Sequence, residues 1–94
     1  MDDFYTGVAK TQPASKSVAI SDKNINHALS RGVFIGTAGD YEFYMDTTEL
    51  GVDPSMGWVL HKGLQAGFWY PFEATGVRKS GNVTPTPGDV NFLY

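Results

Sequence analysis

Arg31-Gly-Val-Phe-Ile-Gly-Thr-Ala-Gly-Asp-Tyr-Glu-Phe-Tyr-Met45 is the stretch on which the reading of this chain turns. Residues 32–36 are short, β-branched and aromatic, a composition that suits a pleated surface. Residues 41–45 alternate, with Tyr41, Phe43 and Met45 on one face and Glu42 and Tyr44 on the other. Between them, Thr37-Ala38-Gly39-Asp40 supplies a glycine free to take positive φ and an aspartate able to bond its own turn. The pattern predicts a β-hairpin, and with it an all-β protein. It carries no chemistry of its own.

Strand signals continue on both sides. Ser17-Val-Ala-Ile-Ser21 alternates, with Val18 and Ile20 inward. Residues 22–30 read equally as a long loop or as one helical turn capped by Ser21 or Asp22, with Ile25, Ala28 and Leu29 on one face. His27, alone in that polar segment, reads as a surface residue rather than a ligand. Residues 46–55 are rich in turn formers and hold Pro54, which predicts an exposed loop. Asp46, Glu49 and Asp53 in it lack the ligand order of an EF-hand calcium loop.

Gly57-Trp-Val-Leu-His-Lys62 follows as a strand, Trp58 and Leu60 facing one way, Val59 and His61 the other. In Phe68-Trp-Tyr-Pro-Phe72 the alternation sets Trp69 opposite Phe68, Tyr70 and Phe72, and Pro71 marks an edge, a bulge or a strand end. Val77 and Val83 mark short strands on either side of Ser80-Gly81. Val90, Phe92 and Tyr94 share one face of a last strand built into the sheet. Six or seven short strands between glycine and proline turns predict a small antiparallel β-sandwich or barrel, jelly-roll-like, over residues 17–94. Residues 1–16 are expected to form an extended N-terminal arm.

Ninety-four residues make one domain with a thin stability margin, and cover supplied by another chain would widen it. Seven Lys and Arg against ten Asp and Glu leave a net charge of −3 with no basic run, which argues against a nucleic-acid partner. The lack of cysteine excludes disulfides and thiolate metal sites; it fits a reducing compartment, or a particle assembled in the cytoplasm and later released. No apolar run approaches the ~18–20 residues of a membrane span. The acidic start, Met-Asp-Asp, has no apolar signal core.

Catalytic motifs are missing. There is no G-x-S-x-G elbow, H-E-x-x-H pair or phosphate loop, and Gly36-Thr-Ala-Gly39 is better read as a β-turn. The two histidines, His27 and His61, lie in no recognisable motif. No catalytic residue, metal ligand or cofactor is expected, and the chain reads as no enzyme. The aromatic residues carry more information. Phe4 and Tyr5 anchor the arm, held either by its own sheet or by a neighbouring subunit; Trp58, Trp69 and Phe72 are candidate core or contact anchors. Trp69 either marks an interface or tucks under the arm. Arg31 either pairs with an acidic residue at an interface or caps the hairpin.

The run from Arg31 to Phe43 resembles the signature segment of small phage-type head proteins, in particular the spike base proteins of gene-transfer-agent and phage heads. In that family a short arm leads to a V-A-I-type strand and an aspartate-bearing loop. An R-[AG]-[IVL]-[YF]-[IV]-G-x-A-G-D segment follows, then a glycine turn before a proline and an apolar last strand. Here Ser17-Val-Ala-Ile-Ser21, Asp22, the Arg31 run, Gly67 with Pro71, and the strand from Val90 to Tyr94 stand in that order. Two features depart from the pattern: the loop over 46–57 is longer, and the aromatic run 68–72 is heavier. The resemblance implies a non-enzymatic virion component on the outer capsid surface, as a vertex spike base or a decoration (cement) protein. Its implied partners are the major capsid protein, its own copies as a trimer or pentamer, and a head fibre protein, with neither nucleic acid nor membrane. It would be made in the host cytoplasm. The alternative expectation is a glycan-binding module displayed on a virion, because exposed Trp and Tyr suit sugar stacking.

Overall fold

The computed structural model describes residues 16–47 and 56–94. Seven strands run through them: β1 (Ser17–Ala19), β2 (Gly32–Ile35), β3 (Gly39–Asp46), β4 (Met56–Leu64), β5 (Trp69–Tyr70), β6 (Ala74–Lys79) and β7 (Val90–Leu93). All pairings are antiparallel. They build a four-stranded sheet in the order β1-β7-β2-β5 and a three-stranded sheet in the order β4-β3-β6. The chain is a small all-β sandwich, as its alternation predicts. Val33, Ile35, Val90 and Phe92 from one sheet and Tyr41, Phe43 and Val77 from the other bury their side chains between the layers.

The segment from Gly32 to Met45 is not a hairpin. β2 pairs with β7 and β5, and β3 with β4 and β6, so the two strands belong to different sheets. Thr37 and Ala38 form a corner by which the chain crosses from one layer to the other. The reason is the core. A hairpin would lay Val33, Ile35, Tyr41 and Phe43 side by side in one layer; the corner sets them on opposing inner faces. Backbone contacts hold the corner, with Gly36 N–H donating to the Asp89 carbonyl at 2.8 Å. A Cβ at Gly36 would stand 2.0 Å from the Gly88 carbonyl oxygen, so the glycine serves close approach rather than a turn. Gly36→Ala is expected to cost about 3 kcal/mol, read as a fall in thermal midpoint, because only backbone can give way.

The pairing is nested. β3 pairs with β4, β2 with β5, and β1 with β7. Residues 27–30 run beside β6, with His27 N–H to Thr75 O at 3.1 Å and Ser30 N–H to Ala74 O at 2.9 Å. From the inside outward this is one long hairpin rolled into two layers, the jelly-roll wrap, with residues 21–30 where an eighth strand would lie. That segment is a loop and not a helical turn. Asp22 Oδ1 accepts from Asn24 N–H at 3.0 Å and Asn24 Oδ1 from Asn26 N–H at 2.8 Å, local bonds that compete with a strand ladder. His27 is half-buried rather than a surface residue. Its Nε2 meets Asp22 Oδ1 at 2.9 Å, a bond that lowers the Asp22 carboxyl, and its ring stands edge-on to Phe92 at 5.8 Å.

Ser30 fastens this loop to β6. Its buried hydroxyl donates to Phe72 O at 2.9 Å and accepts from Ala74 N–H at 3.0 Å. Ser30→Ala leaves that N–H without its acceptor, an expected loss of about 2 kcal/mol in a denaturant titration.

Other expectations divide. β7 does build Val90 and Phe92 into the core. Val83 forms a single bridge with Lys79 across Ser80, Gly81 and Asn82. Asp46 ends β3 and Thr47 is buried, so neither belongs to an exposed loop. The remainder of that predicted loop, with Glu49 and Asp53, lies outside the described residues, as do residues 1–15 of the arm predicted over 1–16. Lys16, the last residue of that arm, bonds the Tyr94 backbone in both directions and so continues the pairing of β1 with the C-terminus.

Candidate interaction surface

Strand alternation sorts the side chains into a core and two outer faces. On the four-stranded sheet, register places Ala19, Asn91, Phe34 and Trp69 in one row across all four strands. Ser17, Leu93 and Gly32 form the next row. No residue in either row is charged. Phe34 is 39% exposed and Trp69 46%. The polar members satisfy each other, Asn91 Nδ2 donating to Ser17 Oγ at 2.8 Å. A Cβ on Gly32 would come within 2.6 Å of Trp69 Nε1, so this glycine lets the indole settle against the sheet.

The outer face of the three-stranded sheet is different in kind. Arg78 lies over Trp58, 4.1 Å from the ring centroid, and pairs with Glu42. Tyr44 meets Trp58 edge-on at 5.3 Å. This face carries charge, and Arg78 and Glu42 satisfy each other on it.

The anchors expected from sequence are therefore scattered. Trp69 lies on the uncharged face, but Trp58 lies under Arg78 on the opposite side of the sandwich. Phe72 packs against the core and stacks on His61 at 4.2 Å. Arg31 is exposed just before β2, with its backbone N–H on Leu93 O at 2.7 Å, and there is no hairpin for it to cap. Phe4 and Tyr5 lie outside the described residues. Phe68, expected beside Tyr70 and Phe72 on the core face, is 55% exposed. It closes a turn on Gln65, with Gly67 at φ 84°, before a strand of only two residues begins. Phe34 and Leu93 were missed as surface residues. The signal for Phe34 was present, since Val33 and Ile35 inward leave it outward.

Among the described residues no group of three or more His, Cys, Asp or Glu is placed to hold a metal ion. No helix there is long and apolar enough to cross a membrane. The residue with the most unusual environment is His61. It sits between Phe72 and Phe43, its Nε2 is buried without a hydrogen-bond partner, and burial pushes its pKa below the ordinary 6.5. The unfolded chain then takes up a proton that the folded one refuses. The stability His61 permits is present above 6.5 and is lost as pH falls through that value toward its folded pKa. His61→Phe is expected to gain about 1–2 kcal/mol and to flatten the melting-temperature profile between mildly alkaline and mildly acidic pH. No protein-family model matches this chain, and no curated protein or solved structure matches it significantly, so the surface is read from its own chemistry.

Proposed function

We propose that this chain is a non-enzymatic structural protein of a virion head, seated on the outer capsid surface as a vertex spike base or as a decoration protein that clamps capsomers. The observation that carries the reading is the uncharged outer face of the four-stranded sheet, with Phe34 and Trp69 standing out of it. Burying an unpaired charge costs far more than burying a ring, so this is the face that goes against protein most cheaply. Interface centres are depleted in charge and rich in aromatic rings for the same reason. The likeness of the Arg31 run to head proteins points the same way. Partners in this reading are the major capsid protein, further copies of the chain around a three- or five-fold axis, and a head fibre above; synthesis is in the host cytoplasm.

Sedimentation with particles assembled from the major capsid protein of the same genome tests it. The wild-type chain is expected to co-sediment and to raise the particles' resistance to heat. Trp69→Asp is expected to weaken binding roughly 30-fold, the ~2 kcal/mol of a hot-spot ring, while its own melting curve stays near wild type. A wild-type chain that leaves the particles unbound overturns the proposal. A glycan-binding module on a virion is the second reading, favoured by the same half-exposed indole. Glycan binding that Trp69→Ala abolishes, with particle binding intact, selects it.

A further inference from the structure

We infer that β4 is a pairing edge for a second copy of this chain: two β4 strands join antiparallel about Val59, turning two three-stranded sheets into one continuous sheet. The inference goes beyond the proposed place on a shell and stands or falls separately from it.

The edges of the sandwich are unequal. β1 is three residues long, and β5 is two, stopped by Pro71. The free side of β6 is covered by the His27 and Ser30 backbone. β4 runs for nine residues and, among the described residues, is hydrogen-bonded to β3 alone. A long open edge is a template for another strand, and proteins that stay monomeric blunt it with charge, proline or a bulge. Such devices appear only at the far end of β4, in Lys62 and in Gly63, whose φ is 70° and whose N–H is taken by Asp40 Oδ1 at 2.8 Å. From Met56 to His61 there is no Lys, Arg, Asp, Glu or Pro.

A second copy is the occupant because the strand complements itself. Pairing about Val59 opposes Trp58 to Leu60 of the second copy, Met56 to its Lys62, and Val59 to its Val59. No like charges meet. Leu60, 44% exposed, gains an indole as its cross-strand neighbour. Asp46 stands beside Met56 on β3, so the row Lys62–Met56–Asp46 crosses the joint with opposite charges at its ends. Both ends occur twice by symmetry, as an isologous contact requires.

The chain has no cysteine, which makes the test clean. Val59→Cys places two thiols directly opposite, with Cα atoms about 5 Å apart, within disulfide reach. Leu60→Cys leaves its pair two residues out of register and beyond reach. Under mild air oxidation, Val59→Cys is expected to run as a covalent dimer and Leu60→Cys as a monomer. Light scattering at tens of micromolar is expected to give the mass of two wild-type chains. Leu60→Lys is expected to give the mass of one with an unchanged circular dichroism spectrum. A wild-type mass of one chain overturns the inference; so does a larger assembly in which Val59→Cys cross-links no better than Leu60→Cys. Particle binding that survives either result leaves the proposed role intact, and cross-linking without particle binding removes that role alone.

Discussion

Phe43→Ala is expected to remove roughly half of the chain's folding stability at room temperature. Phe43 is fully buried at the middle of β3, between Val59 on β4 and Val77 on β6. Its ring meets Phe72 at 5.3 Å and His61 at 5.8 Å. Truncation opens a cavity that two sheets pinned by their ladders close poorly, at a cost of about 3–5 kcal/mol. A domain of this size has a total stability on the order of 5–10 kcal/mol, so roughly half of it disappears with one side chain. In a urea titration the midpoint should fall by about half, whereas Phe43→Leu, which keeps most of the volume, should lose about 1 kcal/mol. A shift of under 1 kcal/mol for the alanine variant removes Phe43 from the centre of the core.

Asp89→Asn is expected to cost about 3 kcal/mol at neutral pH and progressively less as pH falls below 3.8. Asp89 is a buried carboxylate between three pieces of chain. Lys79 Nζ meets its Oδ2 at 2.8 Å, and Thr86 donates to the same oxygen from N–H at 3.0 Å and from Oγ1 at 2.9 Å. Its carbonyl accepts from Gly36 N–H, so it also anchors the corner between the two sheets. Chiefly through Lys79, the carboxyl is held far below the usual carboxylate range. The folded state therefore prefers the ionised form more than the unfolded chain does. That preference stabilises above the unfolded value near 3.8 and is lost as pH falls below it. Removing the charge at neutral pH leaves Lys79 facing a neutral amide at the Thr86 turn, the kind of loss that runs to several kcal/mol. Melting curves of wild type and variant should differ widely at pH 7 and draw steadily together as pH falls below 3.8. An equal difference at every pH assigns the effect to shape rather than charge. His61 acts in the window around 6.5, so the two residues can be read from a single pH series.

What was legible in the sequence was whatever depends on alternation alone. Val18 with Ile20, Tyr41 with Phe43, and Val90 with Phe92 declared which side of each strand faces inward, and all but half-buried Val18 are buried. The corner was not legible. A short apolar strand, two glycines around Thr37 and Ala38, and a second strand look alike whether the chain turns back on itself or crosses to another layer. The decision is made by the Gly88 and Asp89 backbone, some fifty residues further on. Asp89 stayed hidden for a related reason: in Thr-Pro-Gly-Asp it has the look of an ordinary turn aspartate, and only Lys79 of β6 makes it more. The uncharged face was half visible. Trp69 was marked by its place in an aromatic run, but Phe34 and Leu93 gained meaning only when register put them in adjoining rows with it.

The nested wrap sets an order on biosynthesis. β3 and β4 are neighbours in sequence and can meet early, but β1 has a single strand partner among the described residues, β7, at Val90–Leu93. Ser17–Ala19 must therefore wait, unpaired, until more than seventy further residues have left the ribosome. At translation rates of roughly 5–20 residues per second that interval lasts seconds, and non-local closure of this sort is slow in itself. A nascent chain in this state shows sticky strand edges to its neighbours on a polysome, so its yield should depend on holding chaperones more than its small size suggests.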